Sequence, residues 1–222
     1  MYYPVNEVFE TLQGEGVFTG VPAIFVRLQG CPVGCPWCDT RQTWDKLEHN
    51  QVKPADVIRT DGSIGRWAEH DAETLLEAFK QQGFNAKHIV ITGGEPCLYS
   101  LTELTEAFNA AGFGTQIETS GTFEVNCSAD TWVTVSPKVG MKGGMPVLRQ
   151  ALERANEIKH PVATEAHIEE LDQLLRGLDL KDKTICLQPI SQKSRATALA
   201  MKVCIERNWR LSIQTHKYLD ID

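Results

Sequence analysis

Three cysteines fall within eight residues of "RLQGCPVGCPWCDT" (27–40): Cys31, Cys35 and Cys38, spaced C-x3-C-x2-C. Thiols at that density suggest metal chemistry. A structural zinc would take four tetrahedral ligands, but no second CxxC or histidine pair follows, and nothing around His49, the nearest histidine, marks it as a ligand. A redox dithiol would need only Cys35 and Cys38. An electron-carrying iron–sulfur centre would supply four thiolates. Three thiolates would leave one iron open to an exogenous ligand, as in catalytic metal sites. On spacing alone these readings stand side by side.

The elements that must position the thiols show as short apolar runs alternating with helix-period segments. Strands are expected at 23–28, 88–92, 115–118, 131–135, 184–188 and 210–214, and helices at 71–82, 101–111, 147–159, 167–178 and 195–207. Ser100 and Glu103 read as a capping box for the second helix, with Gly112 at its far end. Such alternation implies a parallel sheet with right-handed crossovers. Six strands are too few for a closed eight-stranded barrel, so the expected fold is α/β, a six-stranded partial (β/α) barrel in a single domain over 1–222. Residues 46–70 read as a variable insertion. Each strand is followed by a polar, Gly- or Pro-containing segment: the cysteine motif, "TGGEPC", "ETSG", "SPK", "QPIS" and "QTHK". In parallel α/β folds these strand ends share one face, so the six segments should meet around one cavity.

Composition narrows the class. The chain has 222 residues, 42% of them hydrophobic, enough for one sizeable core. Its net charge of −7, without a polybasic run, argues against a nucleic-acid partner, which would need a basic face. No stretch approaches the ~18 apolar residues of a membrane span, and the N-terminus lacks the pattern of a signal peptide. The expectation is a cytoplasmic protein with reduced thiols. Among the scattered Cys97, Cys127, Cys186 and Cys204, the last two lie in apolar runs and read as buried, inert thiols.

Trp37 before the last cysteine, together with "GGEP" (93–96) after the second strand, resembles the radical S-adenosylmethionine (SAM) superfamily. The segments "TLQGEG" (11–16), "GVPAIFVRLQGC" (20–31), "WCDT" (37–40), "ITGGEP" (91–96), "IETSGT" (117–122), "VSPK" (135–138), "QPIS" (188–191) and "WRLSIQTHKYL" are similar to those of the 7-carboxy-7-deazaguanine synthase family and span nearly the whole chain. That resemblance implies conversion of 6-carboxy-5,6,7,8-tetrahydropterin to 7-carboxy-7-deazaguanine with loss of ammonia, on the route to queuosine. It implies that Cys31, Cys35 and Cys38 hold a 4Fe–4S cluster and that Thr40 ligates Mg2+. Gly94, Ser136, Pro137 and Lys138 would contact SAM, with Gln188, Pro189, Ile190 and Ser191 beside them. Leu12, Gln13, Gly14, Arg27 and Thr92 would hold the substrate, and Glu118 and His216 would line its pocket as candidate acid–base groups. A flavodoxin or ferredoxin would donate the electron, and the protein would form a homodimer.

Plainer readings compete. Arg27 could pair with a surface acid, Glu15 and Glu118 could be solvated, Lys138 could be a surface lysine, His216 could pack, and Thr40 could cap a turn. A glycyl-radical-enzyme activase shares the cysteine spacing, but the "QGEG" and "QTHKYL" segments do not fit it. A zinc- or cluster-bearing binding module without turnover is the rival from outside the enzymes.

Overall fold

The structure, a computed structural model, describes residues 1–59, 65–190 and 193–219. Its strands are β1 (Tyr3–Leu12), β2 (Pro22–Leu28), β3 (Ala68–His70), β4 (His88–Gly93), β5 (Gly114–Thr119), β6 (Trp132–Val135), β7 (Glu157–Val162), β8 (Thr184–Pro189) and β9 (Arg210–Leu211). Its helices are α1 (Ala72–Gln81), α2 (Thr102–Ala110), α3 (Arg149–Arg154), α4 (Glu165–Leu175), α5 (Ser194–Arg207) and α6 (His216–Leu219). All the strands form one open sheet in the order β3-β1-β2-β4-β5-β6-β7-β8-β9. From β2 to β9 each neighbouring pair is parallel, while β1 runs antiparallel to both β2 and β3.

The expected α/β partial barrel is therefore present, but its membership differs. The sheet has nine strands among the described residues. β1 escapes the sequence pattern because its register shifts between Val5 and Glu7, which breaks the two-residue period. β7 was hidden inside an expected helix over 147–159. The helix ends at Arg154, and β7 puts Lys159 toward the cavity and Ile158 into the core, so no run of apolar residues announces the strand. The last expected strand, 210–214, pairs only through Arg210 and Leu211. The capping box at Ser100 does not form. Leu101 stands at the helix start without a side-chain cap, the Ser100 carbonyl accepts from the Tyr3 hydroxyl, and Glu103 pairs with the terminal ammonium. Gly112 does end that helix, at a φ of +86°. The expected insertion is partly core: Val57, Trp67 and Ala68 are buried, and β3 pairs with β1. Its residues 60–64 lie outside the described residues.

Two-residue alternation builds the site. Ile117, Val133, Val135, Ile158, Ile185 and Leu187 pack in hydrophobic clusters. The alternate residues Gln116, Glu118, Thr134, Glu157, Lys159 and Gln188 face inward, where the first five bond one another and Gln188 donates to Glu15. Cys186 and Cys204 are buried, as expected. Among the described residues, no helix is long and apolar enough to cross a membrane.

Candidate active site

A cavity of about 400 Å3 opens at the C-terminal ends of the strands, within the range of small-molecule sites, about 300–1,000 Å3. Cys31, Cys35 and Cys38 line one side. Their loop is anchored by backbone bonds from Gly30 N to Thr43 O at 2.7 Å and from Cys31 N to Trp44 O at 2.9 Å. Cys38 Sγ accepts from Thr40 N at 3.4 Å and from Trp44 Nε1 at 3.3 Å. Burial pushes the Cys31 thiol up to about 11, and the neighbouring Glu95, Cys35 and Cys38 add to that. Cys35 is raised too, chiefly by burial. Burial and the neighbouring negative groups disfavour the Cys31 and Cys35 thiolates, and a cationic metal centre would relieve this. Among the described residues no group of three or more is arranged to hold a single metal ion.

The "GGEP" segment locks this loop in place. Gly94 N donates to Leu28 O and Glu95 N to Gly30 O, both at 2.8 Å. A Cβ on Gly94 would collide with the Gly30 carbonyl and one on Gly93, at φ +112°, with Leu28. Backbone packing against β2 and the cluster loop thus requires both glycines already. Glu95, almost fully buried, accepts from Cys97 N at 2.9 Å, Thr119 Oγ1 at 2.6 Å, Ser120 N at 2.8 Å and the Ser120 hydroxyl. Its carboxylate ties the end of β4 to the end of β5.

The opposite wall is a charged network. Lys159 Nζ donates to Glu15 Oε2 and to Glu118 Oε2, each at 2.7 Å. Glu15 Oε1 accepts from Gln214 Nε2 at 2.8 Å, and Glu118 Oε1 from Gln116 Nε2 at 3.1 Å. Gln13 Nε2 reaches Glu118 at 3.4 Å. The C-terminal segment clasps the "QGEG" loop: Thr215 N and Oγ1 both donate to Gly14 O at 2.9 Å, and the His216 ring covers the Gly14 α-carbon. Burial pulls His216 below the ordinary imidazole value, only partly offset by Glu15.

Leu12, Gln13, Gly14, Arg27, Thr92, Gly94, Glu118, Ser136, Lys138, Gln188, Ile190 and His216, with the three cysteines and Thr40, all line this cavity. Pro137 and Pro189 do not; both are buried behind it. Ser191 lies outside the described residues. Arg27 has an acid partner, yet not a surface one: its Nε donates to the buried Glu7 at 3.0 Å, and its guanidinium lies over Phe9. Glu15 and Glu118 are ion-paired and not solvated. Lys138 donates to Ser136 Oγ at 2.6 Å from the cavity wall. Thr40 precedes a turn at 41–43 without a side-chain cap; its hydroxyl instead donates to Gly93 O at 3.3 Å. Sequence reasoning missed Lys159, because its strand was missed, and assigned Glu95 no role.

Residues 25–138 match the Radical SAM superfamily. Over all 222 residues, and the whole of each relative, the chain is 59% identical to 7-carboxy-7-deazaguanine synthase of Escherichia coli (strain K12). The chain belongs to the 7-carboxy-7-deazaguanine synthase family. The same enzyme of Buchnera aphidicola is 46% identical over the full length of both chains. The crystal structure of QueE from Escherichia coli superposes with a TM-score of 0.95 at 58% identity, covering 97% of this chain and 95% of that one. Membership in this radical SAM family implies a 4Fe–4S cluster and SAM.

Proposed function

We propose that this single-domain protein is a cytoplasmic radical SAM lyase that converts 6-carboxy-5,6,7,8-tetrahydropterin to 7-carboxy-7-deazaguanine with loss of ammonia, in queuosine biosynthesis. The observation that carries the reading is the convergence, in one cavity, of three thiols on one wall and a satisfied network of carboxylates and amides on the other. When bound, the cluster and SAM would together supply one-electron reduction and hydrogen-atom abstraction.

Cys31, Cys35 and Cys38 would hold the cluster. Lys138 and Ser136, already bonded to each other, are placed to meet the carboxylate and ribose hydroxyls of SAM beside Gln188 and Ile190. Arg27 would clamp the substrate carboxylate. Its Nε is committed to Glu7, so the fork is pre-aimed, and planar bidentate recognition of a carboxylate is the particular strength of arginine. Gln13, Thr92 and the carboxylates of Glu15 and Glu118 would receive the polar edge of the pterin, and Glu118 and His216 are the groups able to hold or move a proton there. Thr40 offers a hydroxyl beside Cys38 as one ligand to Mg2+, an ion that keeps several waters and takes few protein ligands. The protein would work as a homodimer reduced by a flavodoxin or ferredoxin.

The test is anaerobic reconstitution with iron and sulfide, then incubation with the carboxytetrahydropterin, SAM, reductant and Mg2+. A carboxydeazaguanine product with one ammonia released is expected. A cluster-loaded protein that cleaves SAM but leaves the pterin unchanged overturns the reading.

A further inference from the structure

Lys159 bridges two carboxylates in the cavity, and nothing in the cysteine or GGEP motifs points to it. It rises from the inward face of β7 with only 5% of its side chain exposed and touches two carboxylates at the same distance, 2.7 Å. Those carboxylates come from distant elements: Glu15 from the loop after β1 and Glu118 from β5. A third, Glu157, is fully buried two residues before Lys159, where its Oε2 accepts from Val17 N at 3.1 Å. Lys138, His216 and the buried Cys186 also lie within electrostatic reach of this group. Three carboxylates thus face one closely bonded ammonium. Burying unbalanced charge is costly, and a site relieves it by taking up a proton.

We infer that Lys159 is a positioning residue, fixing Glu15 and Glu118 as a preset pair of carboxyl groups that receives the substrate. The second oxygens are held as well: Gln214 and Gln188 donate to Glu15 at 2.8 and 3.4 Å, and Gln116 and Gln13 to Glu118 at 3.1 and 3.4 Å. For Glu15 burial is outweighed by Lys159, with help from Gln214 and His216, which hold it down at about 2. For Glu118 burial, with Glu15 and Glu157 nearby, outweighs Lys159 and raises it to about 7. A ring system that carries both donors and acceptors on its edge, and that must lose a nitrogen as ammonia, is served by such an unlike pair. The inference rests on the functional reading above.

The experiment compares reconstituted wild type, Lys159→Met, Lys159→Arg and the double variant Lys159→Met/Glu118→Gln. Iron content, SAM affinity, KM for the carboxytetrahydropterin, kcat and the pH profile of kcat/KM are measured. In Lys159→Met, kcat/KM should fall about 10- to 150-fold, the scale of hydrogen bonds to charged groups. Its pH profile should move upward, because both carboxyls lose the cation that favours ionisation, while iron content and SAM affinity stay unchanged. Lys159→Arg should keep the wild-type pH profile yet show a raised KM, since a planar fork cannot reproduce the single-point bridge. The double variant removes one charge of each sign and should recover the thermal stability that Lys159→Met loses. An unchanged pH profile in Lys159→Met, a loss traced to iron content, or a double variant no more stable than Lys159→Met overturns the inference. Wild-type enzyme that makes no product overturns the functional reading instead.

Discussion

Glu95→Gln tests whether the GGEP carboxylate is a structural brace. The wild-type carboxylate satisfies four donors: Cys97 N, Thr119 Oγ1, Ser120 N and Ser120 Oγ. In glutamine one oxygen remains, and the amide nitrogen replaces the other. Turned toward Ser120, that nitrogen faces a backbone N–H, so one charge-assisted bond is lost, about 1.5–3 kcal/mol, and a buried donor is left unmet, about 1–3 kcal/mol. A loss of about 3 kcal/mol or more is expected, and about 2–4 °C of melting temperature per kcal/mol in a chain of this size. The assay is urea unfolding of the cluster-free protein, which separates the brace from cofactor binding. Because Glu95 N also fixes the Gly30 carbonyl, the reconstituted variant should retain less iron. A cost under about 1 kcal/mol, with full iron content, would refute the reasoning, since at least one net hydrogen bond must be lost.

Cys35→Ala should abolish both cluster assembly and turnover, whereas Cys204→Ala, in the helix-side core, should alter only stability; iron analysis and product assay check the contrast. Thr40→Val should assemble its cluster and bind SAM but turn over slowly and respond weakly to added Mg2+, with Thr40→Ser restoring the response; an unchanged Mg2+ titration would place that ion elsewhere. His160, buried on the helix side of β7, is pulled down from 6.5 to about 4 by burial first, then by Lys138 and His167. At 3.4 Å, Glu170 does not offset this, and burial raises its own value. Between those two values the unfolded chain binds the extra proton, so stability rises with pH and is lost on acidification. The window corresponds to roughly 3 kcal/mol. Urea titrations at several pH values should show this slope in the wild type and much less of it in His160→Gln.

The sequence by itself determined whatever is local. The three thiols sit within one loop, so their spacing alone limits the chemistry they can do. GGEP and the other polar segments lie at strand ends, so the parallel α/β pattern already implied that they would meet. Tertiary structure decided what depends on pairing across the sheet. The bulge between Val5 and Glu7 hid β1, and the charged inner face of β7 hid the strand that carries Lys159. No local signal could show that Lys159 bridges Glu15 and Glu118, which are 144 and 41 residues away in the chain. Nor could it show that Arg27 already holds Glu7, or that Gly94 is required by the Gly30 carbonyl as much as by any ligand. A periodic pattern reports which face of an element is apolar. It carries no information about which polar groups from other strands will arrive opposite, and an ion pair or a backbone collision exists only once both partners are in place.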